Sequence, residues 1–247
     1  MHIKKDLIDP DGSVFLKTVK GYLENEIETE DEYTKVLSWA FSKLDFEQFA
    51  YVYMPYLPSE AKNAVILGSY PSGWQLFYKS EGLHRKDPVL AESAGTTMPF
   101  YWRGGRIGIG DQEDIFKLSA RYGIEQGYTI PVHEPGCSFG SIHLASRLEN
   151  DEFYKLIDSQ GHLLQCLASL AHIYRPATAR KLPYADLSLR EREFLHWSSQ
   201  GKTYQEAGII MGISERTVKF HAQNCMRKLE AINVRQAITK ALRLGWV

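Results

Sequence analysis

The 247-residue sequence predicts an α+β fold, with helices packed around a mostly antiparallel sheet in front and a small all-helical module behind. Three observations predict it. Short aromatic and β-branched runs alternate with helix-spaced stretches up to Tyr174. "RPATARKLPYADL", from Arg175 to Leu187, has two prolines and no apolar periodicity, as a linker would. Charge then changes sign. From Ala185 onward there are ten Lys+Arg against six Asp+Glu (+4), leaving nineteen against twenty-four in front (−5). An acidic front and a basic rear suggest two jobs.

The bulk composition sets bounds. With 44% hydrophobic and 24% charged residues, the chain reads as globular and long enough to bury a core without staples. Cys137, Cys166 and Cys225 form no CxxC pair, so reduced, buried thiols in a cytosolic protein are expected. "MHIKKDLIDPDGS" lacks the apolar run of a signal peptide, and no stretch approaches ~18 uninterrupted apolar residues. A soluble cytoplasmic protein with no membrane partner is the expectation.

Taken in order, Ser13 to Leu44 carries Phe15, Val19, Val36, Leu37, Ala40, Phe41 and Leu44 at helical spacing, predicting two amphipathic helices. "FAYVYMPYL" and "NAVILGSYP" are short and closed by Pro or Gly, which predicts strands. A helix follows Pro71 and covers Trp74 to Ser80. "SAGTTMPFYWRGGRIGIGD" is Gly-rich and reads as a loop with room for a short helix. Glu113 to Tyr122 is helical, ending near Gly123. "GYTIPVHE" and "FGSIHLAS" make a hairpin whose turn holds Pro135 and Gly136. One long helix from about Glu152 to Tyr174 completes the front.

Four helices fill the rear. Ser188 with Glu191 is a capping box opening the first, whose apolar positions are Leu189, Phe194, Leu195 and Trp197. Gly201 ends it. Thr203 and Glu206 repeat the box before "YQEAGIIMG", which Gly212 closes. Ser214 caps the third helix and "VRQAITKALRLG" is the fourth. On the third, Val218, Ala222, Cys225 and Leu229 share a core-facing side, while Arg216, Lys219, Gln223 and Arg227 fall on another. A short helix, a Gly-containing turn and a second helix with Lys and Gln in its first half is the helix-turn-helix layout. Lys can donate to guanine and Gln can pair with adenine in the major groove. Arg216 and Thr217 suit phosphate oxygens, which fix register. The plainer alternative is a solvated basic face; the preceding helix, the caps and the local charge favour double-stranded DNA.

"LSLREREFLHWSSQGKTYQEAGIIMGISERTVKFHAQNCMRKLEAINVRQAITKALRLGWV" closely resembles the DNA-binding domain of LuxR-type transcriptional regulators. The resemblance implies that Lys219, Phe220 and Gln223 face bases, that Arg216, Thr217 and Arg227 contact mainly backbone, and that the fourth helix pairs two subunits. Gly208 departs from the commoner Ala of the family, which suggests close helix packing.

In front, Tyr70, Trp74 and Tyr78 are spaced by four, one stripe if the helix starts near Pro71. Such a stripe also suits a plain core, and Asp87 before Pro88 also suits a plain turn. Together they offer a few polar groups on an apolar wall, as a small-molecule pocket requires. The segment resembles the ligand-binding domain of quorum-sensing members of the same family, which bind N-acyl-homoserine lactones. That resemblance implies an α/β/α sandwich at residues 1–174, a linker at 175–186 and the helix-turn-helix domain at 187–247. It implies that Trp74 donates to the lactone carbonyl, that Asp87 accepts from the ligand amide, and that Tyr70 donates to the acyl carbonyl. Tyr78 and Trp102 would wall the head group. Gly127 in "YGIEQGYTIP" belongs to the same pattern. His143 stands where Ser or Thr is expected, either reshaping the pocket or serving as a hydrogen-bonded core residue. No cofactor or metal is expected: two histidines, His133 and His143, do not make a metal site. A homodimer on a pseudo-palindromic promoter site is implied, with RNA polymerase a further candidate partner.

Two other readings stand beside it. One is a ligand-independent regulator whose front domain is a dimerisation scaffold. The other is a hydrolase, since "GCSFG" around Ser138 matches G-x-S-x-G. That motif needs a strand-to-helix turn, and here a strand is predicted next. An enzyme is not expected.

Overall fold

The computed structural model describes residues 12–25, 27–55, 64–103, 113–134, 138–148, 150–180 and 186–247. The chain divides into two compact units, one running to Arg180 and the other to Val247.

The first unit opens with α1 (Ser13–Asn25) and α2 (Glu30–Ser42), as the apolar spacing predicts. Thr29 caps α2 in a full capping box with Glu32. Among the described residues, five strands follow in antiparallel order β2-β1-β5-β4-β3. They are β1 (Gln48–Met54), β2 (Val65–Gly68), β3 (Phe100–Arg103), β4 (Gln126–His133) and β5 (Phe139–Ser146). The hairpin of β4 and β5 forms as expected, though its turn residues Pro135 and Gly136 lie outside the described residues, as does Cys137.

Helices cover both faces of the sheet. On one face, α1, α2 and α6 (Asn150–Ile173) bury Phe15, Tyr33, Leu37, Phe41, Phe153 and Leu164 against Phe49, Tyr51 and Ile142. On the other lie α3 (Ser72–Ser80), α4 (Pro88–Gly95) and α5 (Glu113–Ala120). Side chains alternate across a strand. Along β1, Phe49, Tyr51 and Tyr53 therefore enter the first layer while Ala50, Val52 and Met54 enter the second. This is the α/β/α sandwich.

Three elements depart from the sequence reading, the third within the expected linker. The Gly-rich stretch expected as loop contains β3, an edge strand pairing Phe100–Arg103 with β4. Its neighbouring glycines masked the β signal of "FYWR". Asp87-Pro88 starts α4 rather than a plain turn: Asp87 is the N-cap and Pro88 occupies the first turn, where its missing N–H costs nothing.

At the end of α6 a cation is buried. The Arg175 guanidinium lies 4.5 Å from the Tyr53 ring centre and donates to the His172 carbonyl at 2.7 Å. His172 Nδ1 meets the Tyr51 hydroxyl at 3.0 Å. Within the stretch expected as linker, residues 177–180 form one further helical turn, α7 (Ala177–Arg180). Cys166 is free and exposed on α6, against the expectation of buried thiols; Cys225 is free and buried.

The second unit consists of α8 (Leu189–Ser199), α9 (Tyr204–Met211), α10 (Glu215–Lys228) and α11 (Val234–Arg243). The capping boxes at Ser188–Glu191 and Thr203–Glu206 both form. Phe194 and Leu195 are core residues as expected, but Leu189 is 86% exposed and Trp197 only half-buried. At 100° per residue, Leu189 points well away from Phe194; Leu187, before the helix, takes the buried place instead.

Glu191 is buried, accepting from the Ser188 N–H at 2.7 Å and the Lys228 ammonium at 2.8 Å. Burial alone would raise its pKa, but Lys228 and the Ser188 donors overcome this and hold the carboxyl below its ordinary value. A depressed carboxylate stabilises the fold above its unfolded pKa, about 4.3, and that stability is lost as pH falls through the folded value. Glu191→Gln should lower the stability of this unit by about 2 kcal/mol at pH 7 and flatten its acid limb. A thermal melt series across pH checks this, and an unchanged acid limb would remove the pair from the account.

Candidate functional site

A cavity lies between the sheet and α3–α5. Its core has a free volume of about 60 Å³, room for roughly four to six waters at ~10–15 Å³ each. Ala50, Val52, Ile66, Leu90, Ile115 and Ile124 give it apolar walls. All six residues singled out in the front half line it: Tyr70, Trp74, Tyr78, Asp87, Trp102 and His143. Trp74 and Tyr78 sit on one face of α3, with rings 5.5 Å apart and nearly edge-on. Tyr70 precedes that helix rather than extending the stripe, yet it reaches the cavity from the loop after β2.

Asp87 is tied at both oxygens. Its Oδ1 accepts from the Val89 N–H at 2.8 Å and its Oδ2 from the Tyr78 hydroxyl at 2.6 Å. Burial pushes its carboxyl above the ordinary range, against the lowering effect of Tyr78 and the Val89 and Leu90 amides. Burial also raises Tyr78, which stays a donor. Tyr70 is likewise raised by burial, and its hydroxyl makes a long 3.3 Å bond to the His143 carbonyl.

His143 is centred by register. It stands opposite Ala50 on β1 and Thr129 on β4. Its Nδ1 lies 2.8 Å from Thr129 Oγ1 and its Nε2 2.7 Å from Ser141 Oγ, while Trp102 Nε1 donates to Thr129 at 3.0 Å. Burial pushes its pKa down to about 3, so the ring is neutral. It is both a cavity wall and a hydrogen-bonded core residue. Gly127 on β4 stands opposite Trp102 on β3: a Cβ there would come within 2.4 Å of the indole, so the glycine makes room for that ring. His133 stacks on Phe139 and reaches the Ser93 and Thr96 carbonyls at the end of α4. Ser119 lines the cavity and was not foreseen; nothing in its sequence context marks it.

Ser138 is not on a nucleophile elbow. It bonds Glu134 at 3.1 Å and leads directly into β5.

In the second unit, α9, a three-residue turn and α10 form the helix-turn-helix. Gly212 adopts a left-handed φ of +68° at the turn. At Gly208 a Cβ would stand 2.9 Å from the Ile213 carbonyl, which is the close packing the sequence suggested. Val218, Ala222, Cys225 and Leu229 are buried. Arg216, Lys219, Phe220, Gln223 and Arg227 are exposed along the opposite side of α10. Lys219 is drawn to Glu215 at 2.7 Å, and the Thr217 hydroxyl bonds the Ser214 cap at 2.8 Å.

A sandwich with a mostly apolar cavity, joined in one chain to a helix-turn-helix, defines a small-molecule-responsive DNA-binding regulator. The comparisons place it in a family. Residues 29–174 match the autoinducer binding domain, and residues 185–241 match the bacterial regulatory proteins of the luxR family. The chain belongs to the LuxR family of transcriptional regulators, which act in quorum sensing; these are regulators and not enzymes. It is 31% identical to the transcriptional activator protein VanR of Vibrio anguillarum over 94% of this chain and 98% of that protein. It is 32% identical to the transcriptional activator protein ExpR of Dickeya dadantii, covering 80% and 84%. A structure of SdiA in complex with octanoyl-rac-glycerol shares the fold, with a TM-score of 0.74, 22% identity and 96% coverage of each chain. Its first domain therefore binds a small-molecule autoinducer and its second binds DNA. Among the described residues no helix is long and apolar enough to cross a membrane, and no cluster of metal-ligating side chains is present.

Proposed function

We propose that this protein is a cytoplasmic sensor of an N-acyl-homoserine lactone that acts as a homodimer on a pseudo-palindromic promoter site, where it meets RNA polymerase. Residues 1–174 form the sensor, 175–186 the linker and 187–247 the DNA module. The observation that carries this reading is the set of polar groups on the apolar cavity wall. Trp74 offers an indole N–H, Asp87 a carboxylate and Tyr70 a hydroxyl. An acyl-homoserine lactone presents a lactone carbonyl, an amide N–H and an amide carbonyl, which these groups match in that order. Tyr78 orients Asp87, and Trp102 and His143 close the wall.

On the DNA side, Lys219, Phe220 and Gln223 read bases, while Arg216, Thr217 and Arg227 hold the backbone. A ligand enclosed in the core binds only the folded sensor, adding about 2.7 kcal/mol at a hundredfold excess over its dissociation constant. Thermal unfolding of the full chain with lactones of graded chain length tests this. A midpoint rising selectively with one length is expected. No shift with any lactone, in folded and ligand-free protein, would favour the scaffold reading instead.

A further inference from the structure

The hydrogen-bonding capacity of the cavity's described lining residues is nearly all spent within the protein. Among its described lining residues, Gln75 Nε2 donates to the Gly68 and Tyr70 carbonyls at 3.1 and 2.7 Å. The Ser119 hydroxyl turns to the Ile124 carbonyl at 2.7 Å. Tyr78 donates to Asp87, and Trp102 Nε1 to Thr129. Both His143 nitrogens are taken, by Thr129 and Ser141, which are themselves fully buried. Trp74 Nε1 has no acceptor among the described residues, and Tyr70 holds only its long 3.3 Å bond. Among the described lining residues, two donors and the remaining lone pairs of the Asp87 carboxylate are therefore open to a ligand.

An acyl lactone with an unsubstituted chain uses all three. A second carbonyl on the chain would need a further donor, and a neutral imidazole with both nitrogens engaged supplies none. We propose that the acyl chain recognised here carries no keto group, because the described lining leaves no donor for a further carbonyl: Trp102 and His143 spend theirs on Thr129 and Ser141. This rests on the acyl-lactone reading above. A buried carbonyl without a donor loses its hydration uncompensated, which weakens binding about tenfold or more.

Calorimetric titration of the full chain with matched pairs decides it: hexanoyl- and octanoyl-homoserine lactone, each against its counterpart with a keto group at the third carbon. The plain member should bind at least about tenfold tighter at both lengths. Equal or tighter binding of the keto member would overturn the proposal. Binding by none of the four would overturn the acyl-lactone reading itself, a separate outcome. His143→Ser removes the ring and frees the Thr129 and Ser141 hydroxyls, so it should narrow the plain-to-keto ratio by roughly threefold or more. A variant that melts normally and keeps the wild-type ratio would show that His143 is not the source of the preference.

Discussion

Replacing Asp87 with Asn is expected to weaken lactone binding about 100-fold or more while leaving the second unit able to bind DNA. The substitution keeps size and cap: an Asn oxygen can still accept from Val89, as Asp87 Oδ1 does at 2.8 Å. The other position changes sign. Where Oδ2 now accepts from Tyr78 at 2.6 Å, an NH₂ would stand. The tyrosine hydroxyl can rotate to accept one proton, but the ligand N–H would then meet a second donor. Loss of a charge-assisted bond plus a buried unpaired donor costs about 3 kcal/mol, hence the factor of 100. Titration of the variant, with its melting curve as control for folding, checks this. Near-native affinity would remove Asp87 from ligand recognition.

Lys219→Ala should weaken operator binding by about 1–3 kcal/mol and relax base preference at one position of each half-site. Lys219 is exposed on the outer side of α10, paired at 2.7 Å with Glu215 one turn earlier. An exposed pair of this kind contributes little to stability, so the variant should melt like the wild type. Arg227→Ala, by contrast, should weaken all sequences alike and reduce the salt slope. Gel-shift titrations on an operator and its single-base variants separate the two. Unchanged preference in Lys219→Ala would confine this lysine to backbone contact.

Most of the fold was legible because local signals and burial agreed. Ser188, Thr203 and Ser214 announce three helices by chemistry that needs no tertiary partner, and all three caps form. The alternation along β1 is hidden by contrast, since both faces are buried and nearly every position is apolar. β3 was missed because four residues between glycine-rich flanks carry too short a pattern; only pairing with β4 makes them a strand. Of the cavity, Trp74, Tyr78 and Asp87 could be seen together because one helix and the next cap bring them close in sequence. The engagement of His143 with Thr129 and Trp102 depends on strand register across three strands, which no single stretch of sequence displays.

The buried guanidinium at the end of α6 also fixes where this protein can be cut and rejoined. Arg175 follows the long helix and looks, by sequence, like the first residue of a tether. Its charge nevertheless lies against the Tyr53 ring, 8% exposed, so the tether's first side chain is seated in the sandwich. A chimera that grafts this sensor onto a foreign DNA-binding domain at Tyr174 would strip a cation from its aromatic seat. A splice placed after Arg180 keeps both that seat and the helical turn beyond it, and is the natural junction for building hybrid reporters.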